Sequence, residues 1–152
     1  LKEILKENER ICLNIAGYIE DEKYFVSKIK ELNLSENIVF IRNYSQKEAP
    51  NIYQKADAYI TMAYQDNCPT AVIEAMACGL PILYSKSGGI PELVDKDSGI
   101  GIKVPENWQT TKIPGKFDIK DGMIEIIENK ITMSEASRTR AVKFFDIKKM
   151  DS

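Results

Sequence analysis

Two carboxylates, Asp66 and Glu74, flank the start of a predicted helix. Glu74 sits inside the apolar run Ala71-Val72-Ile73-Glu74-Ala75-Met76-Ala77, and a carboxylate on a buried helix is costly unless it is paired or hydrogen-bonded. It is either a glutamate turned to solvent, the commoner state of this residue type, or an acceptor for the hydroxyls of a bound ligand. Asp66 precedes it by eight positions, at the end of a predicted strand, so both carboxylates could face one crevice. Between them a helix starts at Cys68-Pro69-Thr70, because proline is preorganised for a first turn and has no amide hydrogen to leave unpaired. Amides at a helix N-terminus are ready to receive a phosphate or another anion. Carboxylates and helix-end amides together suit a ligand with both hydroxyls and phosphates.

The elements that must position these groups are legible around them. A strand, Ala58–Met62, runs into the loop holding Asp66, Asn67 and Cys68. The helix from Pro69 is apolar nearly all round and is therefore expected to be buried, and Gly79 stops it where a left-handed cap is wanted. A second strand, Pro81–Tyr84, ends in the turn Ser87-Gly88-Gly89, followed by a short helix from Pro91. Two successive strand ends thus deliver a helix N-terminus and a glycine turn to one sheet edge.

The rest of the chain alternates in the same way. Leu1–Asn8 reads as the end of a helix, Arg10–Ala16 as a strand ending at Gly17, and Asp21–Leu32 as an amphipathic helix with Phe25, Ile29 and Leu32 on one side. Asn37–Ile41 is predicted to be a short buried strand, and a helix to about Lys55 starts at Glu48 or Ala49, since Pro50 is tolerated only in a first turn. Gly99–Val104 is a further strand and Pro105–Phe117 an irregular loop carrying Trp108, which reads as a packing anchor. Asp118 is expected to cap a helix through Glu128, and Ser134 to open a last one. Strands alternating with helices predict an α/β fold, a Rossmann-like doubly wound parallel sheet, with residues 1–152 as a single domain.

Asp66 through Glu74, then Ala-Met-Ala-Cys-Gly-Leu-Pro and Ser-Gly-Gly-Ile-Pro-Glu, resembles the donor-binding region of retaining GT-B glycosyltransferases of the group 1 type. The signature of those nucleotide-sugar-dependent enzymes is two glutamates separated by seven residues. Here Asp66 stands where glutamate is commoner, and Asn67-Cys68-Pro69 replaces a glycine-rich run. The resemblance implies a C-terminal, donor-binding half that helps move a hexose from a nucleotide diphosphate sugar to an acceptor held by an N-terminal domain. It implies that Glu74 binds the ribose hydroxyls, that Asp66 contacts the transferred sugar as the catalytic candidate, and that Thr70 with the amides of Thr70 and Ala71 faces the distal phosphate. Asn67, Cys68, Pro69, Ser87 and Gly88 line the same donor edge, Gly17 matches the glycine ending the second strand, and Arg42, Asn43 and Tyr44 fall in the loop that passes the base. Against these stand plainer roles: Asp66 as a helix cap, Thr70 as a satisfied helix end, Tyr44 as a core residue. Lys86, the nearest basic residue to the glycine turn, could reach a phosphate but reads as a surface lysine.

The resemblance also implies two missing pieces, the acceptor-binding half and the first strand of the donor half, so the chain is expected to be a fragment. In strand order 3-2-1-4-5-6 that first strand would separate Arg10–Ala16 from Ala58–Met62. The two could close up directly, receive a strand from another copy, or receive one from residues preceding Leu1, which is the expected arrangement. A non-catalytic nucleotide or sugar-phosphate module, and a related activity such as a nucleotide-sugar epimerase, are the alternatives.

Composition bounds the remaining classes. With 152 residues, 43% of them hydrophobic, the chain is long enough for a core, and no run approaches the roughly 18 apolar residues of a membrane span. A net charge of −2 with no basic stripe argues against a nucleic-acid surface. The three cysteines have no metal-ligand spacing and there is no histidine, so no metal or cofactor is expected and the nucleotide sugar is substrate only. Cys12 and Cys78 read as small core residues of a reducing compartment, which predicts a cytoplasmic protein, peripheral at the membrane in the full enzyme.

Overall fold

In a computed structural model, which describes residues 1–105, 107 and 109–146, the strands pair in parallel throughout and form two sheets. The chain divides into a first compact unit, Leu1–Ala49, and a second that starts at Pro50.

The first unit is one βαβ crossover. Strand β1 (Leu13–Ala16) pairs with β2 (Ile38–Ile41), Leu13 opposite Ile38. Gly17 ends β1 at φ +115° and donates its amide to the Ile41 carbonyl at 3.0 Å. Helix α1 (Glu22–Glu31) is capped by Asp21, whose carboxylate accepts from the Tyr24 amide at 3.0 Å. Leu1–Asn8 holds only a 3-10 turn over Ile4–Lys6. The strand starts at Leu13 rather than Arg10, so Cys12 precedes it and is exposed, not a core residue. On α1 the half-buried stripe is Glu22, Val26 and Ile29; Ile29 lies on it as expected, whereas Phe25 and Leu32 do not. Phe25 is left 47% exposed, with its ring edge-to-face on Tyr24, and Leu32 is also exposed. Strand β2 is not fully buried either, because Val39 faces outward.

Helix α2 (Ala49–Tyr53) begins within a residue of the predicted start, its approach fixed by Glu48, which accepts from the amide and hydroxyl of Ser45 at 2.8 and 2.7 Å. In the second unit β3 (Tyr59–Thr61), β4 (Ile82–Lys86) and β5 (Gly99–Lys103) form one sheet in the order β3-β4-β5.

Strand β4 is central and its successive side chains serve opposite faces, as strand geometry requires. Ile82 and Tyr84 join Val72, Ala75, Met76, Ile90 and Leu93 from α3 (Thr70–Ala77) and α4 (Ile90–Leu93). Leu83 packs instead with Ile102, Ile126 and Met133 beneath α5 (Lys116–Phe144). Gly122 permits that approach, since a Cβ there would lie 2.6 Å from the Leu83 Cδ1.

The two helices expected after Asp118 and from Ser134 are one continuous helix of 29 residues, capped at Gly115 rather than Asp118. No glycine or proline interrupts residues 128–134, and Ser134 finds its partner across the fold, donating to the Gly79 carbonyl at 2.6 Å. The buried Ser137 donates to the Leu80 carbonyl at 2.7 Å. Arg140 continues the row: it donates to the Glu92 carbonyl at 2.9 Å and pairs with Asp95 at 3.0 Å. Burial opposes ionisation of Asp95, but the Ser98 hydroxyl and Arg140 outweigh it and hold its carboxyl below the usual range. Trp108 lies outside the described residues.

Helix α3 ends as its sequence requires. Gly79 takes φ +79°, its amide reaches the Met76 carbonyl at 2.9 Å, and that of Leu80 reaches Ala75 at 3.0 Å, the paired bonds of a Schellman end. Replacing Gly79 with alanine should therefore lower the unfolding free energy by about 1–2 kcal/mol, the cost of a left-handed L-residue, with an unchanged denaturant slope. A denaturation midpoint equal to wild type would show that this position does not require glycine.

Candidate functional site

Because β3, β4 and β5 are parallel neighbours, the loops that follow them emerge on one edge of the sheet, the usual place for a ligand in such folds. The loop after β3 contains Gln65, Asp66 and Asn67, and the loop after β4 contains Ser87, Gly88 and Gly89. The two lie backbone to backbone. The Gly89 amide donates to the Asp66 carbonyl at 2.8 Å. A Cβ on Gly88 would fall 2.3 Å from that same carbonyl oxygen, and one on Gly89 would fall 1.8 Å from the carbonyl oxygen of Asn67. Both positions need glycine for this contact, and Gly88 needs it again for its φ of +65°.

Serine side chains fix the approach from below. The buried Ser85 donates to the Ala63 carbonyl, and the Ser87 hydroxyl accepts from the Gln65 amide at 2.9 Å. Gln65 itself is held at φ +57°, an uncommon conformation for a residue with a side chain. The loop after β5 is tied to the same edge by Tyr64, whose hydroxyl accepts from the Asn107 amide at 2.6 Å.

Helix α3 rises from this edge. Pro69 is its N-cap, one position earlier than a first-turn proline, and no side chain caps it. The first bond to that end runs from the Val72 amide to the Pro69 carbonyl at 3.0 Å, so the amides of Thr70 and Ala71 have no acceptor within the helix. Asp66 does not act as a helix cap: its carboxylate accepts from the Cys68 amide at 3.3 Å, and the residue is exposed. Asn67, Cys68 and Thr70 are exposed beside it.

Glu74 lies one turn into α3 and is half-buried. Helical side chains lean back toward the N-terminus, which directs its carboxylate to the end carrying the free amides. One oxygen accepts a hydrogen bond from the Tyr53 hydroxyl at 3.2 Å. Tyr53 in turn meets the ring of Tyr59 edge-on, with centroids 6.0 Å apart. Neither tyrosine could be singled out from sequence, because their partners lie on other elements and no spacing announces them.

Lys86 is an exposed lysine at the end of β4 whose aliphatic stem covers Gly101. Gly17, Arg42, Asn43 and Tyr44 belong to the first unit. There Arg42 is engaged by Glu22, whose carboxyl is held below its ordinary range mainly by that hydrogen bond. Asn43 adopts φ +50°, and Tyr44 is 37% exposed and so not a core residue. Cys78 is the C-cap of α3, half-exposed rather than core, with its thiol pushed up by burial. It borders an open depression of about 690 Å³ at the opposite end of α3, together with Gln54, Ser134 and Arg138. Among the described residues no cluster of three or more His, Cys, Asp or Glu could hold a metal ion, and no helix is long and apolar enough to cross a membrane.

Known proteins resemble this chain in sequence and in fold. D-inositol 3-phosphate glycosyltransferase of Corynebacterium jeikeium is 28% identical over 119 residues, which is 76% of this chain but 26% of that protein. The same enzyme of Mycolicibacterium smegmatis is 31% identical over 64 residues, covering 42% and 15%. Among solved structures, Anabaena HepE in complex with UDP-glucose superposes with a TM-score of 0.75 at 21% identity, over 99% of this chain and 42% of its own. Sucrose-phosphate synthase from Thermosynechococcus elongatus does so at 0.79 and 17% identity, over 98% and 38%. The chain thus spans about a quarter of the length of the first of these relatives, and the fold is the Rossmann-like one of GT-B glycosyltransferases. Every strand, and α5 almost to its end, falls within residues 1–140, which match the model of one family, and the chain belongs to it: glycosyl transferases group 1.

Proposed function

We propose that this chain is the donor-binding domain of a retaining glycosyltransferase that transfers a hexose from a nucleotide diphosphate sugar to an acceptor held by a further, N-terminal domain. The observation that carries the reading is the junction of the uncapped N-terminus of α3 with the Ser87–Gly89 turn, flanked by the carboxylates of Asp66 and Glu74. Amides at such an edge bind a diphosphate, and two carboxylates beside them suit the hydroxyls of a sugar and a ribose. The names of the relatives and the UDP-glucose bound by HepE support the same reading. Their greater length supports a partner domain. A cytoplasmic location, peripheral at the membrane in the whole enzyme, belongs to the same proposal.

In this reading the bond between the sugar's anomeric carbon and the distal phosphate breaks, and its electron pair leaves with the diphosphate. The acceptor oxygen bonds to that carbon on the same face, and its proton passes to the departing phosphate oxygen. The amides of Thr70, Ala71 and the glycine turn stabilise the charge that gathers on the diphosphate. Glu74 orients the nucleotide through its ribose, and Asp66 orients the transferred sugar.

Two substitutions test these roles, the first in this chain and the second in the whole enzyme with its acceptor-binding domain. Glu74→Gln keeps the shape and removes the charged acceptor, so calorimetric titration with UDP, GDP and ADP should show the preferred nucleotide bound about 1.5–3 kcal/mol more weakly; equal affinity would remove Glu74 from the site. Asp66→Ala should lower turnover more than it lowers nucleotide affinity. Unchanged turnover would leave Asp66 as no more than the acceptor of the Cys68 amide.

A further inference from the structure

The geometry points to Tyr53 as a positioning residue that aims Glu74 at the ribose and so sets the site's preference for a ribonucleotide, an inference that rests on the reading of Glu74 given above. A glutamate on a helix has three rotatable bonds, and an untethered carboxylate one turn inside α3 would sample several directions. Tyr53 donates to one oxygen of that carboxylate at 3.2 Å. An ionised carboxylate offers about four acceptor positions, so one tether leaves the second oxygen for a pair of vicinal hydroxyls. At 3.2 Å the contact is longer than a tight phenol–carboxylate bond, which suits an aiming contact rather than one that competes with the ligand.

The tether is itself anchored. Tyr53 is the last residue of α2, and its ring packs edge-on against Tyr59, the first residue of β3, at an interplanar angle of 69°. Strand β3 leads directly to Gln65 and Asp66. One aromatic pair therefore ties the direction of Glu74 to the strand that delivers the other carboxylate. Its surroundings are apolar, with Tyr53 and Tyr59 both packed against the cluster holding Val72 and Met76.

Tyr53→Phe keeps the ring and its contact with Tyr59 and removes only the hydroxyl. The ligand should be whichever of UDP, GDP and ADP the wild-type full chain binds most tightly, compared with its 2′,3′-dideoxy counterpart. The expected result is affinity for the ribonucleotide reduced about 3–10-fold, affinity for the dideoxynucleotide unchanged, and no further loss when Tyr53→Phe is added to Glu74→Gln. Wild-type affinity for the ribonucleotide would overturn the inference while leaving Glu74 in place. Equal loss of both ligands, or a lowered melting temperature with neither bound, would assign Tyr53 to packing and overturn it as well. Failure of the wild type to bind any of the three, or a silent Glu74→Gln, would overturn the reading of the site and this inference with it.

Discussion

The Gly89 amide and the Asp66 carbonyl meet at 2.8 Å, and the candidate site depends on that close approach of two backbones. The turns after β3 and β4 can touch only because nothing larger than hydrogen projects from Gly88 and Gly89. Once they touch, Asp66 is fixed beside the glycine turn, and the three residues that follow carry the chain straight into α3. The buried hydroxyls of Ser85 and Ser87 hold the same two loops from within. Backbone polar groups that would be orphaned at a sheet edge are thereby partly spent on one another, while those at the start of α3 remain available.

The opposite end of α3 is held just as firmly, by different means. Its Schellman end turns the chain into β4, and the serines of α5 accept the task of satisfying the carbonyls of Gly79 and Leu80. A buried carbonyl without a partner costs on the order of 1–3 kcal/mol, so these two bonds pin the long helix to the turn that ends the short one. Helix α3 is thus clamped at its C-terminus and left open at its N-terminus, the distribution expected of an element that presents amides to an anion.

How much of this was legible depended on whether the signal was local. Gly79, Pro81, the Ser87-Gly88-Gly89 turn and Pro91 punctuate the chain with residues whose backbone preferences are their own, and α3, β4 and α4 lie where that punctuation puts them. The start of α2 followed from Pro50 in the same way. Where the deciding contact was distant, the reading failed. Ser134 looks like the opening of a helix, but its hydroxyl serves a carbonyl 55 residues away, and α5 runs through it. Helix α1 offers two adjacent apolar stripes, and periodicity alone could not choose Val26 over Phe25. Asp66 had the right chemistry for a helix cap, yet its carboxylate turns to the Cys68 amide instead. The hydroxyl on Glu74 comes from Tyr53 on another helix, and only the fold brings the two together.

We propose that a nucleoside diphosphate rests on the edge between the start of α3 and the glycine turn. Following backbone amide resonances of the isotopically labelled full chain during titration with UDP, GDP or ADP tests it most directly. The amides of Thr70, Ala71, Gly88 and Gly89 should shift together in a saturable manner, while those around Cys78 and Arg138 stay in place. Saturable shifts confined to the depression at the far end of α3, with the Thr70 and Gly88 amides unmoved, would contradict it.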